Sequence, residues 1–317
     1  MKIHALRALR HPNFRLYFFG QSISLAGTWM TRLASSWLVY RLTGSTLLLG
    51  LVSFAGQIPT FLLGPFAGVW VDRLEKRKVI LATQFLAALL MKRDPEPVRK
   101  AAASMLVQLQ EGWVYVSAAG PIRTVMIMFA IFSFMGVPYA VLMPVFATKI
   151  LHGGPHTLGW LMGASGIGAG LAALTMAARK SVRGLDATIA MSAGLMGAGL
   201  IAFSFSRSLW ISLALMAITG FGMMLCYTAS STVIQTIVDE DKRGRVMSYW
   251  TMAYMGASPF GSLLAGGLSP VLGAPGTIVV CGLGCVTGGI WFWFQLAKLR
   301  PALRPIYEQL GVLPAKG

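Results

Sequence analysis

Long apolar segments, separated by short segments that hold most of the charges, repeat along this chain of 317 residues. Eight of them have about 20 residues or more, the length at which a helix crosses a hydrocarbon core of roughly 30 Å. They are Phe14–Tyr40, Leu47–Val71, Thr124–Ile150, Thr157–Ala178, Ala187–Phe205, Leu209–Val238, Val246–Leu268 and Pro275–Leu296. Each is apolar all round and does not alternate, which favours helices over a barrel. The pattern therefore predicts an all-α fold, a polytopic membrane helix bundle.

The composition excludes a soluble domain. Hydrophobic residues make up 56% of the chain and charged residues only 12%. So few charges could not cover the surface of a soluble protein.

Lysine and arginine predict the orientation of the bundle. If the N-terminus is cytoplasmic and the eight segments cross alternately, 23 of the 27 basic residues fall on the cytoplasmic side. The positive-inside rule then predicts a multi-pass protein of the inner membrane with both termini in the cytoplasm. The net charge of +17 accordingly indicates contact with anionic lipids. It does not indicate nucleic-acid binding, because that would need a basic soluble domain.

Two stretches interrupt the regular pattern. The apolar run Val79–Met91 would reach only about 20 Å as a helix, so we expect a non-spanning or re-entrant segment. The stretch Val98–Ala119 is amphipathic and predicts a helix on the cytoplasmic leaflet, with a loosely structured linker as the alternative. The chain thus divides into an N-terminal transmembrane region (residues 1–91), a cytoplasmic linker (residues 92–121) and a six-helix C-terminal region with a short tail (residues 122–317).

Two charged loops and the opening segment carry motifs. Residues 68–78 read GVWVDRLEKRK, which resembles the G-x-x-x-D-R-x-x-R/K-R/K-R/K loop of the major facilitator superfamily. Arg243-Gly244-Arg245 resembles the R-G-R loop before the eleventh helix of that family. The opening, with N-F-R at 13–15, G-Q at 20–21, G-T-W-M at 27–30 and W-L-V-Y at 37–40, is similar to one branch of it. That branch contains enterobactin-type siderophore exporters and macrolide or multidrug efflux proteins.

The resemblance implies a larger protein than this chain provides. Members of the family have twelve helices in two six-helix halves, and residues 124–296 match the complete second half. The first half supplies two full helices and a short run, so an internal deletion between Gln84 and Phe85 is the simplest account. The family implies export of small amphipathic molecules, of siderophore or drug type, by alternating access coupled to protons. The alternative is a truncated protein that does not transport, or does so only after self-association through its exposed interior face.

Polar residues inside the apolar segments are candidates for a substrate path. Arg32 lies about 13 Å deep in the first segment, where a charge normally faces a bundle interior or a water-filled cavity. There it would favour acidic or carbonyl-bearing substrates; snorkelling or a structural hydrogen bond is the alternative. The other candidates are polar or amphipathic residues that would serve equally well to join helices: Gln21, Gln57, Tyr139, Tyr227, Gln235 and Tyr254.

The charged loops give a second group of candidates. The resemblance implies a cytoplasmic gate that holds the outward-open state, formed by Asp72, Arg73, Arg77, Asp239, Arg243 and Arg245. Asp72 would face the positive N-terminus of the helix that begins near Val246. The alternative is that these charges only set the topology.

Other kinds of chemistry find little support in the sequence. Asp and Glu are absent from the depth of the long segments, so the sequence indicates no obvious proton carrier. It also shows no nucleophile–base pair and no metal cluster at useful spacing. We therefore expect no enzyme activity, no cofactor and no metal.

Overall fold

The computed structural model describes residues 12–73, 114, 116–179, 181–239 and 242–309, without the side chains of residues 12–14, 17, 60–73, 245, 305, 306 and 309. Within these ranges the regular elements are all helices, which confirms the all-α class. They are α1 (Pro12–Thr43), α2 (Thr46–Arg73), α3 (Gly120–Gly136), α4 (Tyr139–Val145) with a π-helical turn (Phe146–Ile150), α5 (Pro155–Ala178), α6 (Leu185–Phe205), α7 (Leu209–Ile237) and α8 (Arg243–Gln309). The run Val79–Met91 and nearly all of the linker 92–121 lie outside the described residues.

Five helical stretches of the described residues are long and apolar enough to cross a membrane. They are Gly120–Ile150, Pro155–Ala178, Leu185–Phe205, Leu209–Ile237 and Val246–Arg304. These five contain all six crossing segments predicted after the linker, because the last one holds two of them. α1 and α2 fall outside this set. α1 has 32 residues, but Arg32 and several hydroxyl side chains make it less apolar than the others.

The chain reverses its direction inside α8. Gly273 has φ 71° and ψ 163°, a conformation that glycine adopts readily because it has no Cβ. The stretch of α8 before Gly273 runs parallel to α3, and the stretch after it runs antiparallel, as their contacts show: Tyr254 with Ser133, Gly261 with Phe134, Gly284 with Met135 and Gly288 with Ile131. The loop predicted at 269–274 is thus a sharp reversal within a nearly continuous helix.

Glycine pairs bring helices into backbone contact. A Cβ on Gly50 of α2 would lie 2.6 Å from the carbonyl oxygen of Ser262 on α8 and 3.1 Å from the Cα of Gly266. On the other side of the bundle, a Cβ on Gly197 of α6 would lie 2.5 Å from the carbonyl oxygen of Gly282 on α8. Close backbone approach is the main way for helices to gain packing energy in lipid, since apolar contact by itself gains nothing there. The stretch of α8 before Gly273 is therefore fixed against α2, and the stretch after Gly273 is fixed against α6.

Candidate functional site

Five aromatic side chains meet where α3, α7 and α8 pack together. We call them the aromatic cluster: Phe129 and Phe132 on α3, Tyr227 on α7, and Trp250 and Tyr254 on α8. Residues three or four positions apart share one face of a helix, which is why each of α3 and α8 contributes a pair.

Phe129 is the centre of the aromatic cluster. It is fully buried and stacks on Trp250, with ring centroids 4.9 Å apart and an interplanar angle of 8°. Tyr254 stacks on its ring at 5.2 Å and 18°. Tyr227 approaches Trp250 edge-on at 4.7 Å and 67°. Aromatic pairs in these arrangements contribute about 0.5–1.5 kcal/mol each beyond area burial, so the aromatic cluster is a stable element of the bundle.

Two members of the aromatic cluster keep accessible surface. Tyr227 and Tyr254 are half-buried, whereas Phe129, Phe132 and Trp250 are buried. The indole Nε1 of Trp250 has no hydrogen-bond partner within the described residues of the chain. Leaving a buried donor unpaired costs about 1–3 kcal/mol. The aromatic cluster thus keeps two partly accessible tyrosines and has an indole N–H that is not used elsewhere in the described fold.

Arg32 lies within electrostatic range of the aromatic cluster. Its side chain is exposed, and its guanidinium carbon stands 5.5 Å from the ring centroid of Trp29, one turn earlier on α1. Its positive charge reaches the hydroxyl of Tyr254 electrostatically. The structure brings two predicted path residues into contact, Tyr227 and Tyr254, and keeps Arg32 within electrostatic range of Tyr254.

Gln57 belongs to a hydrogen-bonded contact between α2 and α8. Its Nε2 donates to the carbonyl oxygen of Ser53 at 3.1 Å and to the Ser53 hydroxyl at 3.0 Å. Its Oε1 accepts a hydrogen bond from the hydroxyl of Ser258 at 3.1 Å. The Ser53 hydroxyl in turn donates to the Ser262 hydroxyl at 3.3 Å. Because Ser258 is one turn from Tyr254, this contact fixes α2 next to the aromatic cluster.

The remaining path candidates are dispersed. Tyr139 is 3% exposed and shares a 3.0 Å hydrogen bond with the hydroxyl of Ser165, so it joins α4 to α5. Gln235 is exposed and donates to Ser231 on its own helix at 2.7 Å, about 12 Å along α7 from Tyr227. Gln21 lies on α1 about 16 Å before Arg32. Tyr139, like Arg32, lies within electrostatic range of Tyr254. No ring contact or hydrogen bond described above joins these three residues to the aromatic cluster.

Sequence reasoning missed Phe129, Phe132 and Trp250. An aromatic residue in an apolar span gives no polarity signal, unlike a tyrosine or a glutamine. The spacing of the aromatic residues was the available signal for a shared helix face. Residues 129 and 132 are one helical turn apart, and so are residues 250 and 254. The described residues contain no group of three or more His, Cys, Asp or Glu side chains that could hold a metal.

Asp72, Arg73, Arg243 and Arg245 have backbone positions at one end of the α2–α8 pair. Gln57 meets Ser258 and Ser53 meets Ser262, so each step forward on α2 is a step back on α8. Continuing this register by 15 residues places Asp72 level with Arg243, the first residue of α8. The register concerns backbone positions alone. The side chains of Asp72, Arg73 and Arg245, and the whole of Arg77, lie outside what the structure describes.

Asp239 is the gate candidate with a described ion pair. Its carboxylate lies 3.2 Å from the ammonium group of Lys242, which closes the turn between α7 and α8. Arg243 follows directly and is exposed. The gate itself stays a prediction.

Comparison with known proteins connects this arrangement to a family. A family model described as Major Facilitator Superfamily matches residues 124–312, and one described as Transmembrane secretion effector matches residues 3–92. The multidrug efflux pump Tap of Mycolicibacterium fortuitum is 28% identical over 204 residues, 64% of this chain and 48% of that protein. Macrolide efflux protein A of Streptococcus pyogenes is 29% identical over 83 residues, 25% of this chain and 20% of that protein. The chain thus spans about half the length of the first relative and a fifth of the second.

Proposed function

Because this chain belongs to the major facilitator superfamily, we propose that it is a membrane transporter that exports small amphipathic molecules by alternating access. The names of the relatives, a multidrug pump and a macrolide efflux protein, favour drug-like substrates over siderophores. Protons are the coupling ion that family membership implies.

The aromatic cluster, with Arg32 in electrostatic range of it, is the observation that carries this proposal. A flat, partly apolar substrate stacks against the accessible rings of Tyr227 and Tyr254. The guanidinium of Arg32 then offers charge-assisted hydrogen bonds to a carboxylate or carbonyl of that substrate. Inside a membrane such a charge is costly to keep unless it has a partner. Stacking surface and charge together suit an amphipathic ligand with an acidic or carbonyl group.

The α2–α8 pair supports the alternating-access element of the proposal. The Gly50–Gly266 contact holds one end of the pair together through the backbone. The register of the Gln57–Ser258 contact, continued along both helices, supports a position of Asp72 level with Arg243 at the other end. There the N-terminus of α8 adds a positive partial charge. We propose that this end opens and closes as the cytoplasmic gate.

The proposal also includes a division of the chain into three parts. They are a transmembrane region of residues 1–91, a linker of residues 92–121 and a six-helix region of residues 122–317.

Efflux from proteoliposomes tests the proposal directly. The purified chain is reconstituted, and export of a fluorescent aromatic amphiphile is compared with that of protein-free vesicles. We expect Tyr254→Ala to lower the rate about tenfold, which corresponds to about 1.4 kcal/mol of lost interaction. Trp210→Ala is the matched control, because Trp210 also contacts an aromatic residue but lies on α7 away from the aromatic cluster. We expect the control to stay within about twofold of the unchanged protein.

A second candidate function follows from the exposure of α1. Ile23, Met30 and Leu42 are 74%, 70% and 75% exposed, so α1 presents a largely uncovered side. If this uncovered side of α1 must first be covered by another copy of the chain, the protein transports only as an oligomer, or not at all. Absence of efflux above protein-free vesicles would favour this alternative. Cross-linking in the same vesicles then separates an oligomer, which gives discrete higher bands, from a monomer that does not transport.

A further inference from the structure

A cavity of about 350 Å³ lies where the ends of α5 and α7 meet the start of α6. It is distinct from the aromatic cluster, with which it shares no lining residue. Its walls carry one guanidinium, three hydroxyls and apolar side chains: Arg179, Ser181, Thr228, Thr232, Met176 and Val182. The orientation predicted from the basic residues places this cavity at the cytoplasmic end of the helices.

Arg179 is held in position without a carboxylate partner among the described residues. One terminal nitrogen donates to the hydroxyl of Thr188 at 3.0 Å, and the other donates to the carbonyl oxygen of Arg183 at 2.9 Å. Both acceptors are neutral, and a guanidinium has five N–H groups, so three remain for another ligand. A guanidinium that is already positioned loses less conformational entropy when it binds an anion.

The acidic residue beside this cavity is already paired. Asp186, in the first turn of α6, accepts a hydrogen bond from the guanidinium of Arg300 at 2.7 Å. Tyr307 packs nearby; burial, together with the charge of Asp186, raises the pKa of its phenol. Asp186 thus faces α8, and its charge is matched by a different arginine from the one in the cavity. Among the described residues, Arg179 therefore keeps a positive charge at the rim without a carboxylate partner.

The cavity reaches from the helix ends into the apolar layer. Arg179 follows the last residue of α5, whereas Thr232 and Thr228 lie about 8 and 14 Å inside the end of α7. The hydroxyls of Thr228 and Thr232 donate to backbone carbonyls of their own helix, both at 2.8 Å. Their oxygens remain acceptors for a hydroxyl of a ligand. A ligand that fits has an anionic group at the rim, hydroxyls below it and apolar chains.

We propose that this cavity binds the headgroup of an anionic phospholipid, with its phosphate on Arg179 and its headgroup folded inward so that its hydroxyls reach Thr232 and Thr228. Phosphatidylglycerol carries a phosphate and a glycerol headgroup with two free hydroxyls, which suit these contacts. Basic pockets between transmembrane helices at the cytoplasmic face are known to suit phospholipid headgroups.

Native mass spectrometry of the full chain, released from mixed detergent–lipid micelles, measures the bound lipids. We expect the unchanged protein to retain phosphatidylglycerol in preference to phosphatidylcholine. Arg179→Gln should lower retention of phosphatidylglycerol about tenfold, the scale of one charge-assisted hydrogen bond. The control is Arg207→Gln at the opposite end of α6, where the guanidinium also donates to backbone carbonyls, of Ser204 and Ser206, but does not line this cavity. We expect it to retain the lipid within about twofold.

A second variant keeps the test valid if Arg179→Gln does not fold. Thr232→Leu fills the cavity without touching Arg179, and it should also lose phosphatidylglycerol while its helical circular dichroism is unchanged. Equal retention by Arg179→Gln and Arg207→Gln would overturn the proposal, as would an unchanged protein that does not distinguish the two lipids. Glycerol phosphate, which carries the same phosphate ester without acyl chains, is added as a soluble competitor for the bound lipid. If it displaces the lipid at equal concentration, the cavity takes soluble phosphate esters and the lipid assignment is wrong.

Discussion

The contact between α2 and α8 can be tested with two glycines of the same helix. Gly50→Ala adds a methyl group where a Cβ would lie 2.6 Å from the Ser262 carbonyl oxygen and 3.1 Å from the Cα of Gly266. Because optimal carbon contacts lie near about 3.5 Å, the two helices must separate by roughly 1 Å to admit it. Gly56→Ala adds the same group where no described atom of another element lies within 4 Å. It is the matched control.

The difference between the two variants isolates the packing effect. Replacing glycine by alanine in a helix gains about 1 kcal/mol of helix propensity in either variant, so this gain cancels in the comparison. Forcing a methyl group into a close contact costs about 1–3 kcal/mol. Gly50→Ala should therefore be about 1–3 kcal/mol less stable than Gly56→Ala. At about 2–4 °C per kcal/mol for chains of 150–250 residues, we expect its Tm to be roughly 2–12 °C lower.

Thermal unfolding in detergent, followed by circular dichroism at 222 nm, measures this difference. Efflux from proteoliposomes should fall with it, because Gln57 and Ser258 lose their shared register when the helices separate. A Tm for Gly50→Ala equal to that of Gly56→Ala would refute the reasoning. It would mean that α2 does not pack on α8 through this glycine, and the register that places Asp72 beside Arg243 would lose its support.

Three further changes test the site and the gate. Arg32→Gln should lower efflux of a carboxylate-bearing fluorophore about tenfold and that of a neutral one of equal size less than threefold; an equal loss of both would contradict a role in recognition. Trp250→Phe keeps a stacked ring but removes the unpaired N–H, so the protein should be as stable as before or more stable by about 1 kcal/mol in thermal unfolding. If its binding of a carbonyl-bearing ligand is also unchanged, the N–H has no role in recognition. Asp72→Asn should raise the labelling rate of a cysteine introduced at Thr236, while Glu308→Gln, which removes a carboxylate from the tail, should not; equal rates would rule out the gate.

Hydropathy was sufficient to predict where the chain crosses the membrane after the linker. The six segments from Thr124 to Leu296 are contained in helices of the structure because their apolar surface must meet lipid or another helix. The reversal near Gly273 was also predictable, since a short polar loop separates two apolar segments there. Hydropathy did not predict that this loop would shrink to one non-helical glycine, because the local backbone conformation depends on how α8 packs.

Pairwise contacts could not be predicted from the same pattern. Gly50 and Gly56 look alike in the sequence, yet one touches α8 and the other touches no described element. Tyr227 and Tyr254 could be selected because they carry a polar group in an apolar span. Phe129, on which both of their rings pack, could not be selected because an apolar residue in an apolar span carries no such signal. Which residues meet is decided by the rotation of each helix, and a hydrophobic pattern that is apolar all round leaves this rotation undetermined.

The α2–α8 pair mechanically connects the proposed gate with the aromatic cluster. Trp250 lies about 24 Å along α8 from Gly266, the residue that holds the other end of the pair against Gly50. If the gate end separates by a tilt of about 10° around this glycine contact, Trp250 moves by roughly 4 Å. That is nearly the whole 4.9 Å between its ring and that of Phe129, so the aromatic cluster cannot keep its stacking while the gate opens.

Opening of the gate and binding at the aromatic cluster should therefore be linked, and linkage is reciprocal. If Asp72→Asn shifts the gate toward its open state, it should weaken substrate binding at the aromatic cluster. Saturating substrate should in turn lower the cytoplasmic labelling of a cysteine at Thr236 in the unchanged protein. Equilibrium binding and labelling rates, measured on the same reconstituted sample, give the two effects independently. An Asp72→Asn protein with altered labelling but unchanged substrate affinity would show that α8 bends between Arg243 and Trp250 and does not move as one rod.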